Sequence, residues 1–315
     1  FVELGDSVFK NCTNLTEITL PDEISAIPQQ TFYGCTSLTT VNASNVTEIE
    51  SEAFRNCTSL TTLNVSENVV KMGADALYHT AIFNEQYDED GNEAVIKYFN
   101  NWVIGVKSNL SENEKDIVIQ EGTVGIANSS IRYINSVQLP STLKYIGDRA
   151  FQNQYPYINL SEMNLPEGLI SIGDYAFEGC KAKNAVGLDE MRISMVQDAA
   201  FVDSGFLDQP FIGGIKCLGP FIIDIDETAD EIILPKNNVH FCVPKKPKER
   251  VRVPNVNAFA AMRKLPKKVI IEDEKINYDD ALLYNFCSRD IEELESRVPR
   301  YKTVDGILYS ADMKT

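Results

Sequence analysis

The chain has 315 residues, 43% of them hydrophobic, and carries 29 Lys/Arg against 46 Asp/Glu for a formal net charge of −17. Such a charge repels phosphate backbones, so no nucleic-acid partner is expected. No apolar run reaches the roughly 18 residues of a membrane helix, so no membrane insertion of this chain is expected either.

Residues 1–80 repeat themselves. Phe9-Lys10-Asn11-Cys12-Thr13-Asn14-Leu15 returns as Phe32-Tyr33-Gly34-Cys35-Thr36-Ser37-Leu38 and as Phe54-Arg55-Asn56-Cys57-Thr58-Ser59-Leu60, at Phe spacings of 23 and 22. Leu77 stands where the next Phe would fall. Within a unit, Leu15, Ile18 and Leu20 precede Pro21, Ile24 and Ile27. Ile18 and Leu20 alternate as the inward positions of a strand must, and their Thr-rich neighbours favour that strand. Pro21 ends it, because proline has no N–H for the ladder. One such unit cannot bury its own apolar face, so units must stack.

Residues 81–116 break the period. Asp90-Gly91 between extended segments predicts a hairpin pairing about 82–87 with 94–99. Trp102-Val103-Ile104 and Ile117-Val118-Ile119 then read as strands separated by an acidic turn. The repeat resumes over 117–203, with Ile146-Gly147-Asp148-Arg149-Ala150-Phe151, Ile172-Gly173-Asp174-Tyr175-Ala176-Phe177 and Val196-Gln197-Asp198-Ala199-Ala200-Phe201. The Gly-Asp pair predicts a turn feeding a short helical turn, with Asp148 and Asp174 as its caps. A second β insert is expected over 204–235, where Phe221-Ile222-Ile223 and Ile232-Ile233-Leu234 match the strands of the first.

Residues 236–277 read as degenerate basic repeats around Ala258-Phe259. Residues 236–302 hold 15 Lys/Arg against 10 Asp/Glu, whereas the rest of the chain holds 14 against 36. In 278–315 the spacing of Leu282, Leu283, Phe286, Ile291 and Leu294 predicts a helix-like segment. The run Tyr301–Ser310 reads as the start of a further insert, which implies that the native protein continues.

The pattern I-G-D-x-A-F-x-x-C-x-x-L-x-x-I-x-L-P resembles the BspA-type leucine-rich repeat, most specifically over 3–80 and 143–201. Gln30-Thr31 in place of Asp-Ala and Gln154 in place of Cys depart from it in single coils. The expected fold is a leucine-rich-repeat solenoid. It is a right-handed stack of about 23-residue coils with one parallel β-sheet, short helical turns on the convex side and hairpin-like inserts. The resemblance implies a bacterial, secreted or cell-surface protein with a role in adhesion.

The chain has seven cysteines and two histidines. Cys12, Cys35 and Cys57 share one repeat position and read as buried free thiols. No C-x-x-C pair suggests zinc. His79 stands at a turn position. His240 and Cys242 share a strand face, without a third group to orient a nucleophile pair. The acidic turn 88–93 departs from a calcium loop in the place of its Gly and in lacking the last Glu, and Asp224, Asp226 and Asp230 lack the glycine. The basic run 245–250 reads as a solvated loop or a site for an acidic partner. Asn11, Asn14, Asn45, Asn56 and Asn64 head Asn-x-Ser/Thr triplets, mostly at turns.

No catalytic residues, metal or cofactor are expected. The candidate site is the concave strand face, with Glu17, Thr19, Thr40, Asn42, Thr62, Asn64, Gln138, Glu162 and Asn164 pointing outward. A rigid, pre-formed polar surface loses little entropy on binding and suits a protein or carbohydrate ligand. The function expected is therefore non-enzymatic recognition or adhesion. The alternative is an accessory repeat domain of a larger secreted enzyme.

Overall fold

The computed structural model describes residues 3–152 and 163–180, and beyond them 185–186, 195–196, 200–201, 204–208, 210–218, 221–226, 228–234, 240–241, 268–271, 293–297, 301–304 and 307–310. The basic run, Cys242, Phe259 and most of the expected helix-like segment lie outside these residues.

Each coil carries two short strands. In the first block these are β1 (Glu17–Thr19) and β2 (Ala26–Ile27), β3 (Thr40–Ala43) and β4 (Glu48–Ile49), and β5 (Thr62–Val65) and β6 (Lys71–Met72). β1, β3 and β5 form one parallel sheet and β2, β4 and β6 another. The leucine-rich-repeat solenoid thus stands, but with two parallel ladders in place of the single sheet expected. The second arises because the chain re-extends after the turn at Pro21, where Ala26-Ile27 can pair with Glu48-Ile49.

The convex side is also hydrogen-bonded from coil to coil, and this corrects the expectation of helical turns there. Phe9 N donates to Thr31 O, Phe32 N to Ala53 O and Phe54 N to Ala76 O. Two backbone positions per turn are left-handed. Ser7, Gln30, Glu52, Asp75, Ser129, Arg149 and Tyr175 occupy the first at φ 54–59°. Asn11, Gly34, Asn56, His79, Tyr133 and Gly179 occupy the second at φ 59–72°. A helix cannot continue through such residues, and their neighbours' N–H groups bond across coils instead.

Inside the turns the aromatic rings stack in register. Phe9, Phe32 and Phe54 lie 5.2 Å apart in succession, and Phe151, Phe177 and Phe201 lie 5.4 and 5.6 Å apart, all within 7° of parallel. Phe32, Phe54, Phe151, Phe177 and Phe201 are buried, whereas Phe9 in the first described turn is only partly covered.

Between the blocks lie α1 (Ala81–Asn84), β7 (Ile96–Phe99) and β8 (Trp102–Val106). The hairpin pairs β7 with β8 across Asn100 (φ 51°), not 82–87 with 94–99 as expected. Residues 81–84 turn helical because the Thr80 hydroxyl accepts from Phe83 N at 3.1 Å. The Asp90-Gly91 loop is closed by the Tyr87–Glu93 bridge and by Asp88 N to Asn92 O and Ala94 N to Gln86 O, without a longer ladder. Gln86 lies along the outer edge of β7, its amide donating to Tyr98 O at 2.7 Å and accepting from Tyr98 N at 2.8 Å. The wholly buried Lys97 is paired with Glu93 at 3.1 Å and donates to Gln86 O.

β8 is buried on both faces, as a continuous apolar run requires. Trp102 and Ile104 pack into the core of the first block and Val103 into that of the second, so the hairpin is a shared wall.

The second block contains β9 (Asp116–Val118), β10 (Gly125–Ile126), β11 (Ser136–Gln138), β12 (Tyr145–Ile146), β13 (Met163–Asn164), β14 (Ser171–Ile172), β15 (Ala185–Val186) and β16 (Met195–Val196). β9 pairs with β11, and β13 with β15, while β8, β10, β12, β14 and β16 follow one another in one ladder. Next come β17 (Ile215–Leu218), β18 (Phe221–Ile225), β19 (Glu231–Leu234), β20 (His240–Phe241), β21 (Lys268–Ile271) and β22 (Glu293–Ser296). The antiparallel pair β17–β18 is bulged like β7–β8 and is extended in parallel by β20, just as β8 is by β10. β19, β21 and β22 form a parallel sheet, so Leu294 lies in a strand rather than a helix. β23 (Tyr301–Val304) and β24 (Ile307–Ser310) make a further antiparallel hairpin.

Candidate binding surface

The strand face of the first block presents two parallel rows. Glu17, Thr40 and Thr62 are register partners, as are Thr19, Asn42 and Asn64. Ile18, Val41 and Leu63 between them point inward, the last two buried. This alternation follows from the two-residue period of a strand with one buried face. The second row is laterally bonded: Asn64 donates to Asn42 Oδ1 at 2.7 Å, and Asn42 to Thr19 Oγ1 at 3.3 Å. Beside the rows, the hydroxyl of Thr39 donates to Thr16 O and that of Thr61 to Thr39 O. The surface is therefore polar and held in place.

In the second block Gln138 is exposed on β11 and pairs with Val118. Val118 is 63% exposed and puts an apolar group in that row. Asp116 and Ser136 form the other row, joined by a 2.6 Å hydrogen bond. The sequence reading missed these three. The alternation around Ile117 and Val137 carried the signal, but Asp116 was assigned to the preceding acidic turn. Asn164 holds a place in β13 opposite Val186, and Glu162 lies outside the described residues.

The cysteine position has a defined role. Cys35 donates its thiol to Phe9 O at 3.0 Å, Cys57 to Phe32 O at 2.9 Å and Cys180 to Phe151 O at 3.1 Å. Each thiol thus ties a turn to the ring-bearing residue of the coil before it. Cys35 and Cys57 are buried and free, as expected, whereas Cys12 is free but exposed. Contact with Cys35 and burial push the Cys57 thiol well above its ordinary range. Burial alone pushes Cys180 up to about 12.

Asp148 and Asp174 do not cap helices. Asn128 Oδ1 accepts from Asp148 N at 2.9 Å, and Asp148 Oδ1 accepts from Asp174 N at 2.8 Å, so each side chain caps the turn of the next coil. Gly147 and Gly173 leave room for this, since a Cβ at either would collide with the capping oxygen.

His79 occupies a left-handed turn position, stacks on Tyr78 at 4.0 Å and shares a 3.2 Å hydrogen bond with Asn56 Oδ1. The acidic loop is closed on itself: Asp88 Oδ1 accepts from Asn92 N at 2.8 Å and from Asp90 N at 3.0 Å, which holds its carboxyl below the usual range. Asp226 does the same with the hydroxyl and N–H of Thr228. A cleft of about 410 Å³ opens where the second ladders of the two blocks meet, near Lys71, Trp102 and Asp148. Of its charged groups, Lys71 pairs with Glu50 and Asp148 belongs to the capping ladder, while Glu48 lies beside them. No helix among the described residues is long and apolar enough to cross a membrane.

Short coils, two parallel ladders and a register-stacked turn define a leucine-rich-repeat protein. The chain belongs to the family of the BspA type leucine rich repeat region, whose model matches six copies over residues 1–101 and 112–219. Solved structures with which it shares low similarity include a leucine-rich repeat protein from Bacteroides ovatus, 17% identical, covering 94% of this chain and 64% of that one at a TM-score of 0.28. A leucine rich cell surface protein from Faecalibacterium prausnitzii is 20% identical, covering 85% of this chain and 58% of its own at a TM-score of 0.26. The pneumococcal vaccine antigen PcpA is 15% identical, covering 92% and 80% at a TM-score of 0.30. At such scores these likenesses add nothing to the family match. The chain spans less than two thirds of the Bacteroides and Faecalibacterium structures. No curated protein matches.

Proposed function

We propose that the chain is a non-enzymatic recognition module of a bacterial secreted or surface protein, which engages a protein or glycan ligand through its strand face. The observation that carries this reading is the pair of rows Glu17–Thr40–Thr62 and Thr19–Asn42–Asn64, aligned by main-chain register, the second also joined by side-chain hydrogen bonds. A surface held this way is pre-organised, so little conformational entropy is lost when a ligand covers it. Thr, Asn and Glu supply donors and acceptors for hydroxyl and amide groups, and the acidic charge turns phosphate away. A surface location is what membership of the BspA-type family implies.

The test is the quadruple variant Thr40→Ala, Asn42→Ala, Thr62→Ala, Asn64→Ala. Loss of its cross-strand bonds should cost about 1–2 kcal/mol in total, leaving it folded. Adhesion to host-matrix proteins and to a glycan array should fall by at least about tenfold. A folded variant that binds a demonstrated ligand as the parent does would overturn the strand-face reading.

A further inference from the structure

The hairpin wall leaves a second concavity on the turn side, between the third coil of the first block and the turn 128–133 of the second. It encloses about 310 Å³. Arg55, Lys107 and Arg132 line this groove together with Asp75, and Glu52 and Glu114 stand behind the first two cations, so the one cation without a carboxylate partner among the described residues is Arg132.

Two of the cations are held in position by the protein. Arg55 pairs with Glu52 at 3.0 Å and with Asp75 at 2.5 Å, and its guanidinium lies over the Tyr78 ring. Lys107 pairs with Glu114, which Ser111 also engages through both its N–H and its hydroxyl. Those bonds hold the Glu114 carboxyl down to about 2, so the Lys107 tether persists at any physiological pH. Arg132 differs. Its Nε donates to Ser129 O at 3.1 Å, and among the described residues no carboxylate pairs with it. Its remaining guanidinium donors are therefore available to a planar anion.

Next to Arg132 stands Tyr133, 48% exposed and held at φ 61°. That backbone conformation is unfavourable for a bulky residue, and the turn leading to it is bonded to the next coil through Ser129 N to Asp148 O and Ile131 N to Ala150 O. It keeps an aromatic ring at the rim of the groove. Ser108 and Ser129 add polar groups to the lining.

We propose that this groove binds a carboxylate-bearing sugar unit of an acidic glycan. Arg132 takes the carboxylate in a charge-assisted fork, Ser108 and Ser129 offer hydrogen bonds to ring hydroxyls, and Tyr133 offers its face to the apolar C–H side of the pyranose ring. The volume lies at the small end of ligand pockets, matching one sugar residue rather than a length of peptide. Beyond about 8 Å the acidic remainder of the molecule is screened at physiological salt, and within the groove the two paired cations are balanced by their carboxylates, so the guanidinium of Arg132 decides. The site is independent of the strand face.

The experiment titrates the full chain calorimetrically with a glucuronate-containing oligosaccharide, with its neutral glucose counterpart and with poly-glutamate. The parent should bind the acidic oligosaccharide at least about tenfold more tightly than either of the others. Arg132→Gln and Tyr133→Ala should each weaken that binding by about tenfold or more, with thermal unfolding checked in parallel. The strand-face quadruple variant should bind it as the parent does, which separates failure here from failure of the strand-face reading. No binding of the acidic oligosaccharide, equal binding of the neutral one, preference for poly-glutamate, or undiminished binding by a folded Arg132→Gln protein would each overturn the proposal.

Discussion

Trp102 and Tyr145 stack at 5.9 Å with their planes 8° apart, although a whole strand lies between them. Gly125 is the register partner of both, and its missing side chain lets the two rings lean together over its backbone. A Cβ there would come within 2.5 Å of the indole. Gly125→Ala should therefore cost about 2–3 kcal/mol through overpacking, read as a lower urea midpoint. Trp102 is the sole tryptophan, so its near-ultraviolet dichroism should change in the folded variant. An unaltered spectrum and midpoint would refute the stacking account.

The hairpin wall predicts a division of labour along β8. Ile104→Ala should destabilise the first block and Val103→Ala the second, by about 1–4 kcal/mol as cavities in their separate cores. Hydrogen exchange resolves this. Ile104→Ala should deprotect mainly residues 20–77, and Val103→Ala mainly residues 117–177. Identical exchange patterns from both variants would show that the two cores behave as one.

Asp148 is predicted to act as an acceptor and not through charge. Asp148→Ala leaves Asp174 N without its partner and should cost about 1–2 kcal/mol. Asp148→Asn keeps the oxygen and should cost less than half as much. Equal losses in urea unfolding would point instead to a role for the negative charge.

Cys180 makes stability fall in alkali. Its thiol titrates at about 12 when folded, against an ordinary 9.0. The unfolded chain therefore releases a proton that the folded one retains once the pH passes 9. The contribution is complete below that value and is lost progressively as pH rises toward 12. The urea midpoint should drop between pH 8 and pH 10.5, and Cys180→Ala should flatten this drop while lowering the midpoint at pH 8. An equally steep drop in the variant would remove Cys180 as its cause.

The repeated apolar positions were legible because a stacked core admits large side chains only at fixed intervals, and Phe32, Phe54, Phe151 and Phe177 recur accordingly. Cys35 and Cys57 were readable as buried for the same reason. The turn was not legible. Gln30, Glu52, Arg149 and Tyr175 carry no intrinsic preference for the left-handed region, and only hydrogen bonds to the next coil place them there. The hairpin was misplaced because Asp90-Gly91 is the stronger local turn signal. Phe99-Asn100-Asn101-Trp102, two Asn between apolar runs, was the signal that matched the observed pairing. On the candidate face, alternation placed Thr40, Asn42, Thr62 and Asn64. Their lateral bonding depended on register, which a single unit does not encode.

Gln86 has a bearing on how these molecules meet one another. A hairpin at the border of a sheet ordinarily offers a template onto which a foreign strand can add, and such templates seed edge-to-edge aggregation. By occupying both main-chain groups of Tyr98, the Gln86 amide imitates a neighbouring strand one residue long. At this point of the hairpin edge the ladder is thereby closed to an added strand from another copy.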